Sequence, residues 1–270
     1  MIQELLNKKR TLIMGIVNLT PDSFSDGGKY DEEKRAVERA KQLVADGADI
    51  IDIGGESTRP GAEMVDEAEE IRRVVPIIEK IAKEISVPIS IDTYKPEVAK
   101  RAIEAGASII NDVWGAKWDN RMADVAADLH VPIILMHNRV DQTYTDLMQD
   151  VLKDLEESIE ICTSRGVSKE NIILDPGIGF AKTHDKNLEV MRNLHQIVDM
   201  GYPVLLGTSR KSIIAKTLQL PVDERVEGTG ATVCYGIMKG CHIMRVHDVK
   251  EMFRMAKMMD ALTGKEMTHG

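Results

Sequence analysis

Asn18, Asp92, Asn111 and Asp175 each stand at the downstream edge of a short apolar run, Lys211 follows another in the loop GTSRKS, and Arg245 and His247 fall at the end of the last. Asp92, Asn111 and Asp175 offer acceptors and one amide, with Lys211 as a donor. That set suits a flat heterocycle carrying several N–H donors and one carbonyl, such as a pterin. Carboxylates accept paired N–H bonds, and an amide both gives and takes. Asn18, Thr58, Arg245 and His247 supply an amide, a hydroxyl and cationic groups. These suit a phosphate or diphosphate, with Mg2+ held by hard oxygen ligands. There is no Walker P-loop and no GxGxxG, and Gly54-Gly55 reads equally well as a tight turn. Any one of these residues alone reads as a polar cap on a strand. The whole set, distributed along the chain, reads as a ligand site.

Such a set needs elements that bring it together. Apolar runs of strand length fall at Leu12–Val17, Ile50–Ile53, Ile89–Ile91, Ile109–Ile110, Ile133–Met136, Ile172–Leu174, Val204–Leu206 and His242–Val246. Their near-continuous apolar character predicts parallel strands buried on both faces. Between them, apolar residues recur at helical spacing, as in Ala36, Val37, Ala40, Leu43 and Val44. Ile71, Val74, Val75, Ile78, Ile81 and Ile85 mark a second helix, and Val249, Met252, Phe253, Ala256, Met259 and Leu262 the last. Strand then helix, repeated eight times, predicts an α/β (β/α)8 TIM barrel forming a single domain over residues 1–270. An open doubly wound sheet is the rival architecture. Gly47, Gly106 and Gly240 precede even-numbered strands, and Pro88, Pro132 and Pro203 precede odd ones. Both residue types end helices. In a barrel of this kind the active site lies at the C-terminal strand ends, where the polar residues fall.

The formal charge of −9 argues against a nucleic-acid or membrane surface. No run of 18 apolar residues occurs, and the segment MIQELLNKKRTL lacks the features of a secretory leader. A cytoplasmic protein is expected. Cys162, Cys234 and Cys241 form no CxxC pair and read as free thiols. Glu67, Glu69 and Glu70 read as an acidic helix start.

Across MGIVNLTPDSFSDGG, IDIGGESTRPGA, SIDTYKPEVA, INDVWG, Met136-His137, DPGIGFAKT, GTSRKS and RVHDV, from Met14 to Val249, the sequence closely resembles the dihydropteroate synthases. The resemblance implies a transferase of folate biosynthesis. It would join 6-hydroxymethyl-7,8-dihydropterin diphosphate to 4-aminobenzoate, giving 7,8-dihydropteroate and diphosphate. Asp92, Asn111, Asp175 and Lys211 would then contact the pterin, with Met136, Phe180 and Gly207 lining the slot. Asn18, Thr58, Arg245 and His247 would take the diphosphate, and Asn18 with Asp26 would hold Mg2+. Phe24, Thr58, Arg59, Pro60, Lys211 and Ser212 would meet the aminobenzoate. The residues implied in catalysis are Asp26, Thr58, Arg59, Asp92, Asp175 and Lys211. The family is commonly dimeric, and the Met-rich last helix is the expected interface of a homodimer. One departure is Ile213, where the family usually has Phe after the serine; it alters packing beside the aminobenzoate pocket.

The segment Thr20 to Tyr30, rich in turn formers, reads as a lid that brings Asp26 and Phe24 to the substrates. Two other functions compete. A corrinoid-linked methyltetrahydrofolate methyltransferase shares pterin contacts but does not need SFSDGG, STRPG or SRKS. A non-catalytic pterin-binding homologue would not need Lys211.

Overall fold

The computed structural model of the protein describes residues 2–19, 29–56 and 64–265. The eight strands are β1 (Leu12–Asn18), β2 (Ile50–Gly54), β3 (Ile89–Asp92), β4 (Ile109–Asp112), β5 (Ile133–Met136), β6 (Ile172–Asp175), β7 (Leu205–Leu206) and β8 (Ile243–Val246). All pair in parallel, in the order β6-β5-β4-β3-β2-β1-β8-β7. A bridge between Leu174 and Val204 joins the two ends and closes the barrel. The expected (β/α)8 architecture is therefore the observed one, and the open sheet is excluded.

Eleven α-helices are described. They are α1 (Ile2–Leu6), α2 (Lys29–Ala45), α3 (Glu67–Glu84), α4 (Pro96–Glu104), α5 (Arg121–Asp128), α6 (Leu147–Ser164), α7 (His184–Arg192), α8 (Leu194–Val198), α9 (Ser212–Leu218), α10 (Val226–Met238) and α11 (Val249–Thr263). Their apolar stripes pack on the outward strand faces. Ala36, Ala40, Leu43, Val74, Ile78, Ile81, Met252 and Ala256 all join that core. Gly47, Gly106 and Gly240, placed before the even strands, have φ of 109°, 118° and 95°. The left-handed turn that reverses each helix into its strand is one that glycine adopts without strain.

Strand side chains alternate between faces, so residues two apart share one. This period of two builds the barrel interior. Leu12, Met14, Ile50, Ile109, Ile134, Ile173, Leu205 and Ile243 form a separate inner cluster, with Leu5 and Leu6 of α1 packed against it. Two residues further along their strands stand Asp52, Asn111, Met136, Asp175, Gly207 and Arg245. The apolar plug thus fills one end, and the polar residues make the next layer toward the C-terminal mouth.

β1, β2, β3 and β6 run one residue past the predicted apolar run and β4 two, because the residues after it still pair. Asn18 pairs with Gly54, Gly54 with Asp92, and Asp92 with Asn111. These site residues belong to the sheet itself and inherit its rigidity.

Three details go beyond the sequence expectations. Glu70 does stand in the acidic first turn of α3 with Glu67 and Glu69, and it has a second engagement. It is buried, and it accepts from Lys95 Nζ at 2.5 Å. Leu262, assigned to the buried stripe of α11, is 68% exposed, while Met255 packs against the core. The Gly54-Gly55 pair serves packing as well as turning. A Cβ on Gly55 would lie 2.6 Å from Val74 Cγ1, so α3 approaches β2 only because that atom is missing. No helix among the described residues is long and apolar enough to cross a membrane.

Candidate active site

At the C-terminal mouth the strands deliver a compact array of opposite charges. Arg245 reaches from β8 toward β2 and β3. Its Nε donates to Asp52 Oδ2 at 2.7 Å and its Nη2 to Asp92 Oδ2 at 2.7 Å. Asn111 Nδ2 lies 3.4 Å from Asp52 Oδ2, a long contact on the same carboxylate. Asp92 Oδ1 is buried and has no partner among the described residues. A buried carboxylate oxygen left open is a ready acceptor for a ligand N–H.

Asp52 joins the site although it does not stand at a strand end. The signal was present: it is the one charged residue inside the apolar run IIDIG, and it shares the face of Ile50 and Gly54. A charge in a strand buried on both sides needs a partner, and Arg245 is that partner.

Across the mouth, Asp175 ends β6. Its Oδ1 accepts the N–H of Gly177 at 2.8 Å. Lys211, at the start of α9, points its ammonium at the carbonyl of Ile178, 2.7 Å away. The same nitrogen lies 4.8 Å from the centre of the Phe180 ring, a cation–π distance. Met136, Tyr94 and Val113 form a buried apolar cluster against which Trp114 and Phe180 pack. This gives the mouth one apolar wall beside its charged wall. Gly207 lies between the cations. A Cβ there would stand 3.8 Å from Lys211 Nζ and 3.9 Å from Arg245 Cβ.

Burial sets the protonation of these groups. It pushes the Asp92 carboxyl up to about 7, against the pull of Arg245. It also raises Asp175, with Lys211 pulling the other way. Burial lowers the Lys211 ammonium to about 8, opposed by Asp175. Arg245 stays firmly charged: burial opposes its cation, but Asp52 and Asp92 outweigh that and raise it. Titratable groups perturbed in opposite senses within one cleft are a mark of a functional site.

The β7 and β8 loops are tied together beside this array. Ser209 Oγ lies 2.9 Å from His247 Nδ1 and accepts the His247 backbone N–H at 3.1 Å. Arg210, with φ of 58°, bonds Asp248 at 2.9 Å through Nε. Ser209 is thus engaged as a positioning group. Ser212 opens α9, and the buried Ile213 behind it packs into the core. Asp112, next to Asn111, accepts from the N–H groups of Trp114 and Ala116 at 2.8 and 2.7 Å. Its role is to shape the β4 turn.

The structure therefore brings together Asp92, Asn111, Met136, Asp175, Phe180, Gly207, Lys211 and Arg245. Asn18 sits half-buried at the end of β1, paired with Gly54. Phe24, Asp26, Thr58, Arg59 and Pro60 lie outside the described residues.

The pterin binding enzyme family matches residues 14–247. The chain is 63% identical over 262 residues to the dihydropteroate synthase of Bacillus subtilis, covering 97% of this chain and 92% of that one. Among solved structures, the dihydropteroate synthase of Clostridium difficile in the presence of pteroic acid superposes with a TM-score of 0.93 at 50% identity. That match covers 94% of this chain and 97% of the other. The Xanthomonas albilineans enzyme with 4-aminobenzoic acid superposes with a TM-score of 0.91 at 40% identity, covering 96% and 95%. With these matches spanning nearly the whole chain, and with the buried acceptors and cations at the barrel mouth, the chain belongs to the pterin binding enzyme family.

Proposed function

We infer that the chain has dihydropteroate synthase activity, joining 6-hydroxymethyl-7,8-dihydropterin diphosphate to 4-aminobenzoate. The observation that carries this is the pairing, at one barrel mouth, of the buried acceptors Asp92 and Asp175 with the cations Lys211 and Arg245. The pterin ring takes Asp92, Asn111, Asp175 and Lys211 along its edge, with Met136, Phe180 and Gly207 around it. The diphosphate lies toward Asn18, Arg245 and His247, with Thr58. The aminobenzoate meets Lys211 and Ser212, with Phe24, Arg59 and Pro60. The whole chain, residues 1–270, acts as one cytoplasmic domain.

Loss of the diphosphate from the exocyclic carbon leaves a cation delocalised into the ring. Asp175 and Asp92 stabilise positive charge on the ring N–H groups, and Arg245 and His247 stabilise the charge that grows on the leaving group. The weakly basic arylamine then attacks that carbon, its nitrogen gives up one proton to the released diphosphate or to water, and no covalent enzyme intermediate is needed. Asp175 and Lys211 move no proton in the bond-breaking step; they supply fixed charge in a site of low dielectric.

Mg2+ suits this site as an ion carried with the substrate. Among the described residues no group of three or more His, Cys, Asp or Glu side chains could hold a metal. Asn18 offers one hard oxygen, and Asp26 would add a carboxylate. Mg2+ keeps several waters and takes substrate phosphate oxygens with only one or two protein carboxylates, so this sparse set fits. When bound, it would neutralise charge on the diphosphate.

The direct test mixes the pure protein with the pterin diphosphate, Mg2+ and labelled 4-aminobenzoate. Labelled dihydropteroate and released diphosphate are expected in equal amounts. Tight pterin binding without product would instead identify a binding module, and methyl transfer from methyltetrahydrofolate a methyltransferase.

Two further outcomes follow from this reading. As pH falls through about 7, Asp92 gains a proton and ceases to accept from the ring. The affinity for 6-hydroxymethylpterin, which has no phosphate to titrate, is expected to fall by roughly tenfold per unit below that point. Calorimetry showing a flat affinity between pH 7 and pH 5 would remove Asp92 from the binding set. Deletion of Ser23–Gly27 is expected to leave pterin binding largely intact and to abolish condensation, as equilibrium binding and product assays on one preparation would show.

A homodimer is also part of this proposal. Tyr235 and Met238 on α10, and Met258 and Leu262 on the adjoining α11, leave large apolar side chains exposed. Sedimentation at micromolar concentration is expected to give twice the chain mass, and a monomeric mass would overturn it.

A further inference from the structure

Beneath the β6 loop lies a charged cluster that the bond-making chemistry does not use. Lys182 is only 6% exposed. Its ammonium donates to the carbonyl of Gly177 at 3.0 Å and to that of Phe180 at 3.2 Å. Its third contact is His137 Nδ1, 2.8 Å away. On the far side of that ring, His137 Nε2 stands 2.9 Å from Asp154 Oδ2 on α6. Asp154 also accepts from Arg139, through Nε at 2.5 Å and Nη2 at 3.2 Å.

Counting donors assigns the protons. An ionised carboxylate only accepts, so the proton between His137 and Asp154 sits on Nε2. A neutral ring then leaves Nδ1 as an acceptor, and the three hydrogens of Lys182 meet three acceptors. Burial lowers the His137 imidazole to about 4, which keeps it neutral. Burial also brings Lys182 down, to about 7, while the Asp175 carboxylate pulls it back up. As the stronger base of the pair, Lys182 takes the proton first, and below about pH 7 it carries all three hydrogens while the ring stays neutral.

The segment that Lys182 grips is the one that shapes the pterin slot. The N–H of Gly177 orients Asp175, the carbonyl of Ile178 receives Lys211, and the ring of Phe180 faces Lys211. Gly177 has φ of 64° and packs so closely that a Cβ would fall 1.9 Å from the His137 carbonyl oxygen. Asn187 of α7 holds the outer side of the loop by accepting the Gly179 N–H at 2.7 Å. Among the described residues, the Gly177 and Phe180 carbonyls share one side-chain donor, Lys182. The Gly177 carbonyl also accepts the Phe180 N–H at 3.1 Å, a bond that closes the turn by itself; without Lys182 both carbonyls lose a charged donor, so the turn would be closed only part of the time.

We propose that Lys182 is a positioning residue for the condensation: it clips the Gly177 and Phe180 carbonyls into the pterin-competent turn, and Asp154, through the His137 tautomer, keeps Nδ1 open to it. The proposal rests on the pterin-binding reading of the site.

The test uses Lys182→Met in the full chain. If the turn is competent only part of the time, apparent affinity falls by that fraction while the bound complex is unchanged. KM and Kd for the pterin diphosphate are therefore expected to rise roughly tenfold, with kcat within about threefold of wild type. The KM for aminobenzoate should stay put. A purely structural defect would lower the folded fraction, which reduces kcat and leaves KM alone. Asp154→Leu, which frees the ring to carry its proton on Nδ1, is expected to raise the pterin KM severalfold in the same sense. Nitrogen-15 NMR of the wild-type imidazole at pH 6, below the Lys182 value of about 7 and above the His137 value of about 4, should show a neutral ring protonated on Nε2. Unchanged pterin Kd and KM in Lys182→Met would overturn the proposal, as would an imidazolium or an Nδ1-protonated ring in the wild type. Should Lys182→Met fail to fold, Asp154→Leu and the NMR signature decide alone. A wild-type chain that binds pterin but makes no product would sink the functional reading; the Kd comparison would still judge the clip.

Discussion

Arg245→Met is expected to be the most destabilising single change at the barrel mouth. The guanidinium is shared between Asp52 and Asp92, both buried. Methionine has a comparable length but no donors, so both carboxylates would be left uncompensated in a low-dielectric interior. Breaking a buried ion pair from one side costs about 3–5 kcal/mol, and at this chain length that lowers the melting temperature by roughly 10 °C. The sign with pH is fixed by the carboxylates. Asp92, already pushed up to about 7 by burial, relieves the repulsion by taking up a proton, so the deficit relative to wild type is largest above pH 7 and shrinks as pH falls. The pair Arg245→Met with Asp52→Leu is expected to recover part of the loss, because one of the two orphaned charges is gone. Chemical denaturation of the three variants checks this. A loss under about 1 kcal/mol in Arg245→Met, the range of an exposed pair, would mean that the mouth is far wetter than its burial indicates.

Asp175→Asn separates charge from shape. Asparagine keeps the volume, and its Oδ1 can still accept the Gly177 N–H that Asp175 now takes. What it loses is the negative charge facing the ring, and Nδ2 brings a donor where an acceptor is required. Removing one preorganised electrostatic contact from a transition state costs about 10²–10³ in kcat. A fall of that size is expected here, with a smaller loss in pterin affinity. Stability should not fall, because burial already disfavours the Asp175 carboxylate. Steady-state kinetics with calorimetric binding reads all three. Turnover at the wild-type level with binding intact would remove the charge-stabilising role of Asp175.

The barrel was legible because its rules are local. Alternating apolar runs and helical stripes, with glycine or proline before six of the eight strands, predict eight βα units without any long-range information. The site residues were legible as polar groups at strand ends, since the C-terminal mouth gathers them. Pairing was less visible. Asp52 lies inside an apolar run, and only the barrel's closure sets it against Arg245 on β8, 193 residues away. Lys182 and His137 looked like unremarkable members of FAKT and MH; their contact spans two loops that the sequence does not connect. Glu70 read as a helix-start acid until Lys95 of the next βα unit came down on it. In each case the sequence displayed the charge, and the closed barrel supplied its partner.

With acceptors on the pterin side and cations on the phosphate side, the mouth lets the carbon–oxygen bond break before the amine bonds. The most direct measurement compares kcat/KM for the pterin diphosphate with hydrogen and with deuterium on the exocyclic methylene carbon. Departure of diphosphate ahead of attack flattens that carbon and loosens its C–H bending modes. A clearly normal secondary isotope effect is expected, with the protiated substrate faster. An effect at unity, with the chemical step shown to be rate-limiting, would mean that the amine attacks as the diphosphate leaves, and would contradict that order.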